Sequence, residues 1–194
     1  MRKFYQIHMT NKCQWCLGDD LMVKYHDEEW GAVVHDDRLL FEMLTLEGAQ
    51  AGLSWRTVLR KRENYREAFD DFDIQVVSKY DDQKVLELMQ NGGIIRNKLK
   101  ILSTIQNAKM IIKIQQECGS FDKYIWQFTD YKTINNSVKS MLEIPSKTKE
   151  AEVMSRALLK RGFKFVGATI CYAFMQATGM VNDHEDSCAY KNRW

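Results

Sequence analysis

Residues 46–55 bring one carboxylate, two glycines and a tryptophan together between two amphipathic helical patterns. Gly48 and Gly52 are expected to interrupt the helix, and Ser54 can cap a new helix that begins at Trp55. An acid such as Glu47, held beside an indole at this break, could bind a ligand by charge and by stacking. The alternative is an ordinary helix–loop–helix corner.

A second group of residues has the chemistry of a metal site. Thiolate and imidazole are the ligands that tetrahedral zinc prefers, and the spacing of His184 and Cys188 lets both chelate one ion. Cys13 with His26, or Cys13 with Cys16, would complete a set of four from the other end of the chain. Four protein ligands leave no open position for water, so such an ion would be structural. A protein without metal is the alternative.

A third pattern, over residues 92–101, is typical of a helix-hairpin-helix. A short helix ends at two glycines, an apolar turn follows, and a long helix begins with basic residues. Glycines allow backbone N–H groups to approach a phosphate, and a helix N-terminus favours an anion. We therefore predict that Gly93, Arg96 and Lys98 bind DNA, independently of its sequence. A structural turn between two helices would show the same pattern.

Three aromatic residues could surround Glu47. Tyr25, Trp30 and Trp55 offer ring faces, which suit a flat, electron-poor or cationic ligand through stacking and cation–π attraction. The alternative is that both tryptophans belong to the hydrophobic core.

Composition limits the class of protein. The chain has 194 residues, and 45% of them are hydrophobic, which fits one domain with a substantial core. Its net charge of +2 does not by itself indicate that it binds nucleic acid. No apolar run approaches the ~18 residues that span a bilayer, and no signal peptide is recognisable, so we expect a cytoplasmic protein. An odd count of five cysteines argues against a disulfide framework. Cys118 and Cys171 are predicted to be small core residues.

Hydrophobic periodicity and capping residues predict an all-α fold, with a single helical domain over residues 13–194 and an N-terminal extension over residues 1–12. No sheet is predicted, and residues 129–146 are expected to be irregular. Helices are predicted from Asp36 or Asp37, from Ser54 to about Asp70, after Asp73, after Asp81, over 97–117, after Ser120, over 148–161 and over 167–178.

Together these patterns resemble the 3-methyladenine DNA glycosylase I family. The similarity extends over nearly the whole chain, from about Cys13 to Cys188. It is carried by ordered blocks at residues 25–31 (YHDEEWG), 46–55 (LEGAQAGLSW), 61–65 (KRENY), 93–96 (GIIR), 160–167 (KRGFKFVG) and 179–184 (GMVNDH).

The resemblance implies a helix-hairpin-helix DNA glycosylase fold, in which both chain termini form a part that binds one structural zinc ion. It implies that Cys13, His26, His184 and Cys188 are the zinc ligands and that Cys16 is not.

The resemblance also assigns roles around the carboxylate. Glu47 matches the acid that recognises methylated adenine, and it is the predicted catalytic residue. Tyr25, Trp30 and Trp55 match aromatic positions of the pocket, and Leu53 falls in the loop that probes the gap left by a flipped base. Where relatives can carry a further pocket tyrosine, this chain has Met22, which offers no hydroxyl group.

The implied activity is that of a monofunctional, monomeric repair enzyme. It would flip N3-methyladenine out of double-stranded alkylated DNA, hydrolyse its N-glycosidic bond and leave an abasic site. The methylated base is cationic and leaves as a neutral molecule, so Glu47 would act by recognition and electrostatics rather than as a general acid. The alternatives are a non-catalytic, zinc-stabilised DNA-binding module and a zinc hydrolase, which a closed set of four ligands disfavours. The deaminase pattern of His-x-Glu with Pro-Cys-x-x-Cys is absent.

Overall fold

The computed structural model describes residues 11–193, and this part of the chain is mostly helical. Residues 1–10 of the predicted N-terminal extension lie outside the described residues. The α-helices are α1 (Asp20–Glu28), α2 (Asp37–Gln50), α3 (Trp55–Leu59), α4 (Arg62–Ala68), α5 (Ile74–Val77), α6 (Asp82–Gln90), α7 (Lys98–Cys118), α8 (Phe121–Trp126), α9 (Lys149–Lys160) and α10 (Ala168–Ala177). Short 3-10 turns lie at Gln14–Cys16, Asp70–Phe72, Gln127–Thr129 and Met141–Glu143. No helix within residues 11–193 is long and apolar enough to cross a membrane.

Side-chain caps explain where most of these helices begin. In each case a short polar side chain accepts a hydrogen bond from a free backbone N–H in the first turn. The capping residues are Asp19, Asp36, Ser54, Asp73, Asp81, Asn97, Ser120 and Thr148. The starts predicted at Asp36, Ser54, Asp73, Asp81 and Ser120 are confirmed.

The single helix predicted from Ser54 to Asp70 is wrong, because the chain bends at Arg60 and Lys61 to give α3 and α4. The bend lets the Arg62 side chain point inward, where it donates to Glu42 at 2.6 Å and to Glu29 at 2.5 Å. These long-range ion pairs outweigh the continuous helical pattern of the sequence.

Two further predictions are corrected. Two short strands, β1 (Ile134–Asn135) and β2 (Val181–Asn182), pair in parallel, so the fold is mostly helical rather than entirely so. Each strand has only two residues, too few for an alternating pattern to appear in the sequence. Cys118 is exposed because it ends α7 beyond the core, whereas Cys171 is buried as predicted.

Helix α2 runs through the centre of the molecule. It is buried from Leu40 to Ala49 and packs against α3, α7, α8 and α10. Two acids lie on the buried part of this helix. Glu42 is paired with Arg62 and with Arg66, but no cation in the described part of the chain pairs with Glu47. Burying a carboxylate is costly without a charge partner or hydrogen bonds, and Oε2 of Glu47 has neither within the described residues.

Candidate functional site

The last turn of α2 borders a cavity of about 380 Å³. All four predicted pocket residues lie in its wall, although they come from α1, the segment after α1, α2 and α3. The full lining is Trp15, Met22, Tyr25, Trp30, Glu47, Gln50, Trp55, Met141, Ile144, Ala173 and Gln176.

Helix geometry, rather than a loop, positions Glu47. The predicted break at Gly48 is wrong, because α2 continues through it to Gln50. A Cβ atom at Gly48 would lie 3.3 Å from Cβ of Phe165, so glycine here permits close packing that offsets its poor helix propensity. The helix ends before Gly52, whose φ of +77° turns the chain towards Ser54.

Lys100 fixes the end of α2 from the neighbouring helix α7. Its ammonium group donates to the carbonyl oxygens of Ala49 at 2.7 Å and Ala51 at 2.8 Å. Burial lowers the pKa of this lysine. A cation at the C-terminal carbonyls of a helix is favourable, so Lys100 anchors the loop that carries Leu53. Leu53 itself is 41% exposed and lies outside the cavity lining.

Four buried polar atoms of the lining have no hydrogen-bond partner within the described structure. They are Nε1 of Trp15, the hydroxyl of Tyr25, Oε2 of Glu47 and Nε1 of Trp55. Leaving such an atom unpaired costs about 1–3 kcal/mol, and native proteins contain few of them. Their concentration around one cavity indicates a site built for a polar ligand.

Burial also controls the ionisation of the site. Glu47 is 4% exposed, and burial raises its pKa to about 8. The pKa of Tyr25 is raised well above its ordinary value, first by burial and then by the charge of Glu47. A cationic ligand would favour the ionised form of Glu47, because it would supply the charge partner that the fold lacks.

The aromatic walls include one residue that sequence reasoning missed. Trp15 packs edge-on against Trp30, with ring centroids 5.0 Å apart, while the ring centroid of Tyr25 lies 5.2 Å from that of Trp55. The signal available in the sequence was the position of Trp15 between Cys13 and Cys16, beside a predicted metal ligand.

Gln176 was also missed. Its Nε2 donates at 2.7 Å to the buried carboxylate of Asp183, which also accepts from Tyr172 and from Asn136. This network holds the amide of Gln176 in the cavity wall. The available signal was one amide within an otherwise apolar stretch of α10.

The two chain ends meet at the predicted metal residues. The ligand atoms of Cys13, His26 and Cys188 all lie within 4.8 Å of one another. His184 packs beside them, with its ring centroid 5.1 Å from that of His26, and its buried Nε2 has no partner in residues 11–193. Cys16 is buried but turns its thiol to the carbonyl oxygen of Cys13 at 3.1 Å.

Both histidines of this cluster are oriented through their other ring nitrogen. Nδ1 of His26 lies 2.9 Å from Oδ1 of Asp27, and Nδ1 of His184 lies 3.0 Å from Oδ1 of Asn182. Asp27 is itself paired with Lys12. Partners of this kind fix the ring and leave Nε2 for a metal ion, as is usual for ligating histidines.

Trp30 connects the cluster with the cavity. Its ring centroid lies 4.6 Å from that of His184 and 6.1 Å from that of His26, while its other side faces the cavity. A Cβ atom at Gly31 would lie 2.7 Å from Cε1 of His184, and the φ of Gly31 is +83°, so glycine is required for this contact. The position of Trp30 in the cavity wall therefore depends on the contact between the two ends of the chain.

The predicted hairpin lies between α6 and α7, away from the cavity lining. The N–H of Gly93 is already bonded to Oδ1 of Asn91 at 2.8 Å, and Lys61 donates to the carbonyl oxygens of Gly92 and Gly93. Arg96 and Lys98 are exposed. The side chains of these two basic residues, rather than the N–H of Gly93, are the groups of this turn that can meet an anion.

A mostly helical protein that encloses an acid within an aromatic cavity is built to bind a flat, polar ligand. Comparison with known proteins gives its family. The model of the methyladenine glycosylase family matches residues 15–192, so the chain belongs to that family.

Curated relatives and solved structures agree with this assignment. The chain is 45% identical to DNA-3-methyladenine glycosylase of Haemophilus influenzae, over 94% of this chain and 99% of the relative. It is 46% identical to DNA-3-methyladenine glycosylase 1 of Escherichia coli, over 91% of this chain and 95% of the relative. A crystal structure of 3-methyladenine DNA glycosylase I superposes with a TM-score of 0.90 at 47% identity, covering 92% of this chain and 98% of that chain. The crystal structure of a variant of 3-methyladenine DNA glycosylase I in complex with 3-methyladenine also superposes with a TM-score of 0.90. Its sequence identity is 32%, and the match covers 93% of this chain and 97% of that chain.

Proposed function

We propose that this chain is a DNA-3-methyladenine glycosylase that removes N3-methyladenine from alkylated duplex DNA. The observation that carries the proposal is that Glu47 is buried in the cavity without a partner for its Oε2 atom. The other buried polar atoms of the cavity without a hydrogen-bond partner belong to aromatic side chains. The names of relatives that cover nearly the full chain support it.

The chemistry follows from the charge of the substrate. N3-methylation makes the base cationic, so the bond between the base nitrogen and C1′ breaks with its electron pair moving onto the base, which leaves neutral. Water adds to C1′ of the resulting oxocarbenium-like sugar and gives its proton to solvent. We assign Glu47 to hydrogen bonding and electrostatic attraction of the cationic base, and Tyr25, Trp30 and Trp55 to the aromatic walls.

The position of the cavity requires the nucleotide to leave the DNA stack. A base cannot reach Glu47 inside a duplex, so the nucleotide must be flipped. We assign the exposed Leu53 to the gap that the flipped base leaves. The exposed side chains of Arg96 and Lys98 are assigned to phosphates, which position DNA without reading its sequence.

A second helix pair can also contribute to the proposed helix-hairpin-helix contact. The turn between α9 and α10 contains Gly162 at a φ of +93°, and Gly167, which precedes the first residue of α10, provides no side-chain cap. Exposed Lys164 lies in this turn. Free N–H groups at a helix start favour a phosphate, so we propose that the start of α10 contacts the DNA through its backbone, whereas the α6–α7 turn contacts it through Arg96 and Lys98.

The terminal cluster fits one structural zinc ion. Burial raises the pKa of Cys13, which disfavours a thiolate unless a cation stabilises it, and the unpaired Nε2 of His184 would supply the fourth donor. Cys13, His26, His184 and Cys188 would hold the ion, which would join the chain ends and support Trp30. Elemental analysis should give one zinc per chain for the wild type and for Cys16→Ala. It should give much less for His184→Ala, and equal zinc in His184→Ala would contradict the ligand assignment.

The decisive experiment for the function is to incubate methylated duplex DNA with the protein and identify any released base. Free 3-methyladenine, with an abasic site left in an uncut strand, is the expected result. DNA binding without release would favour the non-catalytic module. A covalent adduct trapped by borohydride would contradict a monofunctional enzyme.

A further inference from the structure

One side of the cavity is formed by a segment that carries no functional motif in the sequence. The 3-10 turn Met141–Glu143 lies between β1 and α9. Met141 and Ile144 line the cavity, whereas Leu142, next to Met141, is 96% exposed. Single exposed leucines are common on protein surfaces and mean little by themselves. This one stands at the edge of the cavity that a flipped base must enter.

The turn holds Leu142 in a fixed place. Backbone N–H groups of Glu143 and Ile144 donate to the carbonyl oxygens of Ser140 and Met141 at 3.0 and 3.2 Å. The base of the segment is attached to the C-terminal region, because Asp186 accepts from the N–H of Val138 at 3.1 Å. A leucine on an ordered turn loses little backbone entropy when a partner covers it.

The charges around Leu142 suit a polyanion. Lys139, Lys147 and Lys149 flank the turn and are all exposed, and only Lys147 forms an ion pair among the described residues, with Glu152. The one acid of the turn, Glu143, folds back to accept from the backbone N–H of Lys139 at 2.9 Å. Three exposed lysines therefore flank the apolar tip in the sequence, on both sides of the turn.

We propose that Leu142 is a second DNA-inserting side chain, provided by a different segment of the chain from Leu53. It would enter the duplex next to the extrahelical nucleotide while the neighbouring lysines contact phosphates. Apolar side chains inserted at base steps unstack and bend the duplex, and the larger protein–DNA interface that the bend permits offsets the cost of unstacking. The inference rests on the proposed function, because it takes duplex DNA as the partner and the Glu47 cavity as the destination of the base.

The test compares Leu142→Ala with Val76→Ala, which shortens a 43% exposed aliphatic residue on α5 outside the site. In single-turnover release of 3-methyladenine from duplex DNA, we expect Leu142→Ala to lower the rate constant about 10-fold and Val76→Ala to change it less than 2-fold. Leu142→Met should restore most of the rate. Affinity for free 3-methyladenine should stay at the wild-type value, because the cavity is intact. Equal rates for Leu142→Ala and Val76→Ala would overturn the proposal.

A second readout does not depend on catalysis. A duplex with 2-aminopurine beside an abasic-site analogue should fluoresce more strongly when the wild-type protein unstacks it, and Leu142→Ala should lose most of this increase. An undiminished increase with Leu142→Ala would overturn the role of Leu142. If the wild type releases no base from methylated DNA, the proposed function fails, and the fluorescence assay still decides whether Leu142 inserts.

Discussion

Two cavities of this molecule differ in a way that volume does not reveal. The larger, about 590 Å³, is a groove along α6 and α7, and the smaller, about 380 Å³, surrounds Glu47. Three polar side chains of the groove have internal partners: Tyr80 donates to Asp70, Asp81 caps α6, and Ser103 donates to the carbonyl oxygen of Lys100. The smaller cavity holds four orphaned buried atoms.

The difference favours the smaller cavity as the binding site, because unsatisfied buried polar groups indicate a site more specifically than volume does. A fold optimised for stability alone would pair Glu47 as it pairs Glu42, with an arginine on a neighbouring helix. The described lining of the groove contains no buried polar side-chain atom without a partner, whereas a ligand that supplies donors, acceptors and charge would satisfy those of the Glu47 cavity. Sites that keep such groups accept lower stability for function.

The largest expected effect comes from removing the charge of Glu47. Glu47→Gln keeps the shape of the side chain but cannot become an anion, so 3-methyladenine release should fall about 100-fold or more, the scale of losing one electrostatic contact in an active site. Single-turnover release from methylated duplex DNA measures it. Glu67→Gln, on the exposed side of α4, is the matched control. A folded, metal-replete Glu47→Gln protein within 3-fold of the wild type would contradict the assignment.

A smaller loss is expected from the stacking wall. Trp55→Ala removes an aromatic face and an orphaned indole N–H, and stacking of a base on an aromatic side chain contributes about 1–3 kcal/mol. Release should therefore slow by roughly 10- to 100-fold, mainly through weaker binding of the base, which titration with free 3-methyladenine would detect. Unchanged affinity in this variant would show that the base does not stack on Trp55.

The unpaired acid also predicts a pH-dependent cost in stability. The pKa of Glu47 is near 4.5 in the unfolded chain and about 8 in the folded protein. Between pH 4.5 and pH 8, Glu47 is therefore protonated in the folded protein and ionised in the unfolded chain. Its stabilising contribution is thus complete below pH 4.5 and is lost as the pH rises through 8. Tyr25, which faces it, stays neutral over this range because its own pKa is raised. The melting temperature of Glu47→Gln minus that of the wild type should grow by several degrees from pH 5 to pH 9. A difference independent of pH would refute the raised pKa.

The groove provides the smallest expected effect. Leu102→Ala shortens a 38% exposed residue of its lining and should change base release less than 2-fold. A loss comparable to that of Trp55→Ala would mean that the larger cavity also takes part in catalysis, and the distinction between the two cavities would fail.

Patterns local in sequence predicted much of this molecule. Caps and periodicity predicted most helices, and the positions of Glu47, Tyr25, Trp30 and Trp55 in one cavity were expected from the family resemblance and are seen together. The metal assignment and the DNA contacts stay predictions. The bend before Arg62 was not predictable, because its cause is ion pairs with Glu29 and Glu42, which lie far away in the sequence.

The missed residues share the same physical reason. Trp15, Gln176 and the turn at Met141 reach the cavity from three separate segments, and their role depends on tertiary packing. Gly48 was misjudged because its propensity to end a helix is small compared with the stabilisation from close packing against Phe165.

The most direct test of the central claim is to follow the indole N–H signals by two-dimensional NMR while 3-methyladenine is added. Trp15 and Trp55 have orphaned Nε1 atoms at the cavity, whereas Nε1 of Trp126 already donates to the carbonyl oxygen of Val34 at 3.0 Å. If the cavity around Glu47 binds the base, the signals of Trp15 and Trp55 shift with saturation and that of Trp126 does not. Shifts confined to groups along the larger groove, with Trp15 and Trp55 unchanged, would contradict binding at Glu47.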